Sequence, residues 1–168
     1  YEKMTVPIGQ LLEISVSFQR IRVNVRDLLT SENNEQMNKA METISELTKI
    51  IETNCVEYEK LIIIDSMRTN FNAFKDARVA YRAELSKVEE LVRAGKKKEA
   101  EYIIENSGKK AAMAEQVEID KMVDMKLKQA KETSDNNTVA ANRAITIMIV
   151  CVIVGFLLAV TIGFLLSN

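Results

Sequence analysis

From Ala144 to Leu166 the chain reads AITIMIVCVIVGFLLAVTIGFLL, 23 residues without one charge, relieved only by Thr146, Gly155, Thr161 and Gly163. No other feature limits the fold so strongly. As a helix rising ~1.5 Å per residue it spans roughly 34 Å, enough to cross a bilayer core with some tilt. Buried core helices rarely run so long without a charge, and a secretory signal would stand at the other end of the chain. The run therefore predicts a C-terminal transmembrane helix over 144–166. All 47 charged residues, 23 Lys+Arg and 24 Asp+Glu, lie in residues 1–143. The expected division is a soluble domain over 1–143 followed by the membrane helix. Tyr1 in place of methionine, with only Ser167 and Asn168 after the apolar run, leads to the expectation of a piece cut from a longer chain. With one flank of the membrane helix missing, the positive-inside rule cannot orient it.

Composition narrows the soluble domain. Histidine is absent, which removes Ser–His and Cys–His nucleophile pairs and His-ligated metals. A net charge of −1 argues against nucleic acid as a partner. Five glycines, one proline and no tryptophan are too few turn formers for a β-sandwich, and the glycines are not clustered as a phosphate-binding loop needs. What remains is rich in helix formers. The expectation is an all-α protein that is not an enzyme, with no cofactor and no metal. Met113, Met122 and Met125 read as core filling, since no Cys or His accompanies them as a soft-metal site would require. Cys55 and Cys151 fall in the charged region and the membrane run, so they are not expected to pair.

Four helical stretches are visible in the periodicity. Leu11, Ile14, Phe18, Ile21, Val25 and Leu28 alternate by three and four as a heptad seam. Asn33 with Gln36 three positions on resembles a capping box that opens the second helix. That helix carries Met37, Met41, Ile44, Ile51, Cys55, Tyr58 and Ile62, with Thr48 as a polar lapse. Asp65-Ser66 is the expected break before the third, whose seam is Phe71, Phe74, Tyr81, Leu85, Val88 and Val92, with Arg78 intruding. Ala94-Gly95 ends it. The fourth stretch runs from Lys96 through Ala100, Ile104, Ala111, Ala112, Met113, Val117, Met122, Met125 and Leu127 to Ala130, with Gly108 marking a kink. The polar tract Thr133–Thr138 contains no Pro or Gly, so a single helix can continue from about Lys97 into the apolar run. Short loops between long helices give an antiparallel, up-down-up-down four-helix bundle.

The residues Thr5-Val-Pro-Ile-Gly-Gln-Leu and Phe18-Gln-Arg-Ile-Arg-Val-Asn-Val-Arg-Asp-Leu-Leu29 resemble the first helix of the four-helix-bundle sensor of bacterial methyl-accepting chemotaxis proteins. Phe71 to Tyr81, the Ala94-Gly95 turn before Glu99-Ala100, and Gln129 to Thr138 leading into a membrane helix extend the resemblance along the chain. It implies an extracytoplasmic sensor in the cell membrane that detects a small solute, pairs as a homodimer and passes the signal through its last helix to control chemotaxis. The same bundle is also found on some histidine kinases and diguanylate cyclases. A reading of a different class is a tail-anchored helical tether.

Arg22 and Arg26 stand four apart beside the first seam, where two guanidinium groups can grip a small carboxylate. The resemblance gives first-helix arginines that role. The alternative is that they pair with acidic neighbours or lie on a solvated face. Arg78 is expected as a buried or half-buried ion-pair partner. Arg22 lies about ten residues before the first turn and Asn106 about ten after the turn at Gly95, so at ~1.5 Å per residue they share a height. Tyr102, Asn106 and Ser107 are therefore the expected neutral partners of the arginines around an amino acid or organic acid ligand.

Overall fold

The computed structural model describes residues 5–167. Its elements are α1 (Thr5–Thr30), α2 (Asn34–Lys60), α3 (Asp65–Arg93), α4 (Lys97–Ile103), a π-turn (Ile104–Gly108) and α5 (Lys109–Ser167). There is no strand among the described residues. The fourth helix of the bundle is α4, the π-turn and α5 in succession. The chain divides into two compact units between Leu127 and Lys128.

The turns follow from local chemistry. Asn33 caps α2 by accepting from the Gln36 amide at 2.9 Å, and Gln36 Oε1 accepts in return from the Glu32 amide at 2.8 Å. This is the reciprocal arrangement of a capping box, displaced by one residue on the return side. At the end of α3, Gly95 has φ of +75°. The Lys96 amide donates to the Leu91 carbonyl at 2.8 Å and the Gly95 amide to Val92 at 3.0 Å, the two bonds of a Schellman cap. Gly95 is needed there because a side chain disfavours the left-handed conformation. Between α2 and α3 the expected break at Asp65-Ser66 moves upstream. Both residues are helical, and the N-cap is Ile64, which has no side-chain oxygen to offer.

In the first unit the apolar seams meet as expected. Leu11, Ile14, Phe18, Ile21, Val25 and Leu28 are all at most 2% exposed. Phe18 meets Tyr81 edge-on with centroids 5.6 Å apart, and Tyr58 meets Phe71 at 5.5 Å, joining α1 to α3 and α2 to α3. Burying one such side chain contributes roughly 1.5–3 kcal/mol, so this aromatic layer is a main source of stability. On α2, Leu47 is buried and Thr48 only half so, which repairs the lapse in that seam. On α5 Met122 is buried and Met125 packs partly buried against the core, whereas Met113 is 58% exposed, which corrects its reading as core filling; Val117 and Leu127 also lie outside, and Ile119 fills the core.

The fourth helix contains a phase slip. Its inward positions are Ala100, Ile104, Gly108 and Ala112, three successive steps of four, before Glu115, Ile119, Met122 and Lys126 restore alternation of three and four. A heptad frame alternates throughout, so this stretch holds one residue too many for an α-helix that keeps its face to the core. The π-turn, with its longer hydrogen-bond reach, absorbs the surplus. Gly108 makes this possible: a Cβ there would stand 3.0 Å from the Ile103 carbonyl oxygen and 3.3 Å from Ile104 Cδ1.

The second unit holds the rest of α5. It includes the polar tract Thr133–Thr138, which is helical throughout. In the apolar run every large hydrophobic side chain from Ile145 to Leu166 is at least 48% exposed. This helix is long and apolar enough to cross a membrane and none of its apolar window is buried, unlike a core helix of a soluble protein.

Candidate ligand cavity between the first and fourth helices

A cavity of about 480 Å³ lies in the first unit between α1 and the α4–π–α5 rod, with Tyr81 of α3 at its back. Arg22 and Arg26 line it, together with Val25 between them and Leu29 and Thr30 one turn further along α1. The opposite wall is Glu101, Ile104, Glu105, Gly108, Lys109 and Ala112. Glu101, Glu105 and Lys109 fall at steps of four. In an α-helix such a line drifts around the axis, and the wider π-turn between them offsets that drift. The surplus residue thus keeps three charged side chains facing α1.

Arg22 is held in place from two directions. Its Nη1 donates to Gln19 Oε1 at 3.0 Å, and Gln19 in turn donates to Gln116 of α5. Its guanidinium sits 5.8 Å from the centroid of the Phe18 ring. Neither Arg22 nor Arg26 forms a salt bridge among the described residues, and neither do Glu101, Glu105 and Lys109. The cavity is therefore lined by three cations and two carboxylates that are not committed to ion pairs. Burial, with a smaller effect of the nearby Glu115 carboxylate, pushes the Tyr81 phenol up to about 12. It stays a neutral hydroxyl at any physiological pH, available as a hydrogen-bond donor.

The three neutral residues expected to complete the site point elsewhere. Tyr102 is 69% exposed and borders a shallow opening with Leu91 and Lys98. Asn106 donates to the Tyr102 carbonyl of its own helix at 2.8 Å. Ser107 donates to Glu84 of α3 at 2.5 Å, and the bond from Lys87, followed by this one, holds that carboxyl below its usual range. The height argument places the right turn of the helix opposite the arginines, but each step of one residue rotates a side chain by about 100°. Glu101, Glu105 and Lys109 occupy the face that Tyr102, Asn106 and Ser107 miss. The legible signal for them was the run of charges at steps of four next to the phase slip at Gly108.

Arg78 is the buried ion-pair partner that its position on a seam implies. Its Nη1 lies 2.8 Å from Glu115 Oε1, with the side chains 8% and 0% exposed. Burial raises the Glu115 carboxyl above its usual range, against the pull of Arg78. Cys55, beside this pair, is pushed up to about 12 chiefly by burial, and it is free, as is Cys151. Among the described residues no group of Cys, Asp or Glu is arranged to hold a metal ion.

The soluble part is thus an antiparallel helical bundle with a charged cavity between its first and last helices, and a long apolar helix follows it. The chain belongs to the family described as the four helix bundle sensory module for signal transduction, whose model matches residues 1–141. It is also 29% identical over 148 residues to a protein of Acetivibrio thermocellus named as a sensory transducer protein. That match covers 88% of this chain and 26% of the relative, so the chain spans about a quarter of the relative's length. The family is one of signal-transduction modules and not an enzyme family.

Proposed function

We propose that the chain is the sensor of a transmembrane chemoreceptor, with residues 1–143 outside the cytoplasm and 144–166 crossing the cell membrane. In this reading the cavity between α1 and the fourth helix takes a small amino acid or organic acid. The observation that carries it is the set of charges outside salt bridges: guanidinium groups of Arg22 and Arg26 on one wall, and Glu101, Glu105 and Lys109 on the other. Two guanidinium forks can hold a carboxylate by bidentate, charge-assisted bonds. The facing carboxylates suit the ammonium of an amino acid, and Lys109 one turn further along the same wall offers a cation to a second acid group. A ligand bridging the two walls shifts the bundle toward whichever packing it binds better. The continuity of α5 from Lys109 to Ser167 supports transmission of that shift along the helix. The receptor works as a homodimer, does not catalyse a reaction, and controls chemotaxis through modules outside this chain.

Calorimetry on the whole chain in detergent, against a panel of amino and dicarboxylic acids, tests the reading. Binding of an amino acid is expected, lost in Arg22→Ala and in Arg26→Ala, with unfolding free energy changed by about 1 kcal/mol or less, since Arg26 is exposed and half-buried Arg22 loses only its contacts to Gln19 and the Phe18 ring. Glu101→Gln and Glu105→Gln are expected to weaken amino acids selectively. If both arginine variants bind normally, or if they unfold, the arginines are structural and the site is elsewhere.

A further inference from the structure

The buried pair of Arg78 and Glu115 is only half made. One bond joins Nη1 to Oε1, while Arg78 Nη2 and Glu115 Oε2 are both buried without a partner. The two forks have matching spacing, so a guanidinium and a carboxylate that meet side-on satisfy all four atoms at once. A buried donor and acceptor left unpaired are costly, which makes the one-bond arrangement the less satisfied of two that the same residues allow. Both side chains are packed into the core, Glu115 fully so, and rotamer changes there are restricted. A small displacement of α5 against α3 brings the second pair of atoms together without a change of rotamer.

Beside Glu115, Gln116 accepts from Gln19 of α1, a bond between two flexible side chains that can follow a small shift of α5. Upstream, Lys97 donates to the backbone and hydroxyl oxygens of Ser31, tying α4 to the turn between α1 and α2. Between that tie and Glu115 lies the π-turn, the one stretch of the helix whose hydrogen bonding is irregular. A π-turn resolved outright would rotate the whole buried stripe from Ala112 to Lys126 out of the core. Limited flexing of the turn moves α5 by on the order of 1–2 Å, the scale on which packed helices switch between arrangements. We propose that Arg78 and Glu115 form a two-position latch between α3 and α5, one position with a single bond and one with a fork, and that the π-turn is the compliant joint that lets α5 move between them.

The test is relaxation-dispersion NMR on the full chain in lipid nanodiscs, which reads exchange on the microsecond-to-millisecond scale. Exchange broadening is expected at α5 amides around Glu115 and at the Arg78 side chain. It should vanish in Arg78→Lys, whose ammonium keeps the charge but cannot form a fork. It should vanish also in the double variant Arg78→Met/Glu115→Leu, which removes both charges together and so keeps the fold where a single change would leave one charge stranded. Broadening that persists in either variant overturns the latch. So does a wild-type chain without exchange at these positions. The variants leave Arg22, Arg26, Glu101 and Glu105 in place, so a failure here is separable from a failure of ligand binding.

Discussion

Arg78 on α3 and Glu115 on α5 are joined by a 2.8 Å salt bridge with almost no exposure of either side chain. It is the one buried pair among the salt bridges of the described residues; at least one side chain of every other is 44% exposed or more. Removing one partner leaves the other charged and buried, which costs about 3–5 kcal/mol in comparable cases. Arg78→Met and Glu115→Leu are each expected to destabilise by that order, and the double variant to recover most of the loss. Denaturant titration of the four chains measures the coupling directly.

The pH dependence of this site has a definite sign. Burial raises the folded-state value of Glu115 above its unfolded value, so folding takes up a proton in the window just above the ordinary carboxylate range. Stability from this group is fully present below the unfolded value and is lost as pH rises through the folded one. The stability difference between wild type and Glu115→Gln should therefore move against wild type as pH rises across that window. Other carboxyls contribute equally to both chains and cancel. Parallel curves for the two chains would show that Glu115 titrates as an ordinary exposed acid.

Two glycines offer a controlled comparison. Gly9 lies in α1 with nothing within 4 Å of the Cβ an alanine would add, whereas the same atom at Gly108 meets the Ile103 carbonyl oxygen at 3.0 Å. Alanine in a helix interior is favoured over glycine by about 0.8–1.0 kcal/mol. Gly9→Ala should gain part of that, and Gly108→Ala should gain none or lose stability, because a backbone oxygen has little room to yield. Thermal unfolding of both variants decides it.

The continuity of α5 through Thr133–Thr138 makes a prediction about transmission. A Gly-Gly-Gly insertion after Asn136 interrupts a helix that otherwise has no Pro or Gly between Gly108 and Gly155. Ligand binding in the first unit should be unchanged, and output from the intact receptor should be lost. Signalling that survives the insertion would rule out mechanical coupling through this helix.

Much of the fold was legible because it rests on short-range rules. Heptad spacing placed the seams of α1 and α3 residue by residue, Asn33 and Gly95 marked their turns through side-chain and backbone chemistry local to those residues, and an uncharged run of 23 residues marked the apolar helix. The intrusion of Arg78 on a seam announced a buried ion pair, since a charge that cannot reach water needs a partner. Its partner was not legible: Glu115 is one of 24 acidic residues, and only packing chose it. The cavity divides in the same way. Arg22 and Arg26 follow from their spacing on one helix, and their height against the fourth helix follows from the rise per residue. Which face of that helix meets them depends on angular phase, and one surplus residue absorbed by a π-turn at Gly108 resets the phase by an amount that sequence periodicity alone does not assign. Glu101, Glu105 and Lys109 face the arginines, in place of Tyr102, Asn106 and Ser107, for that reason: distance along a helix is additive in sequence, whereas orientation between helices is settled only by the packing of both.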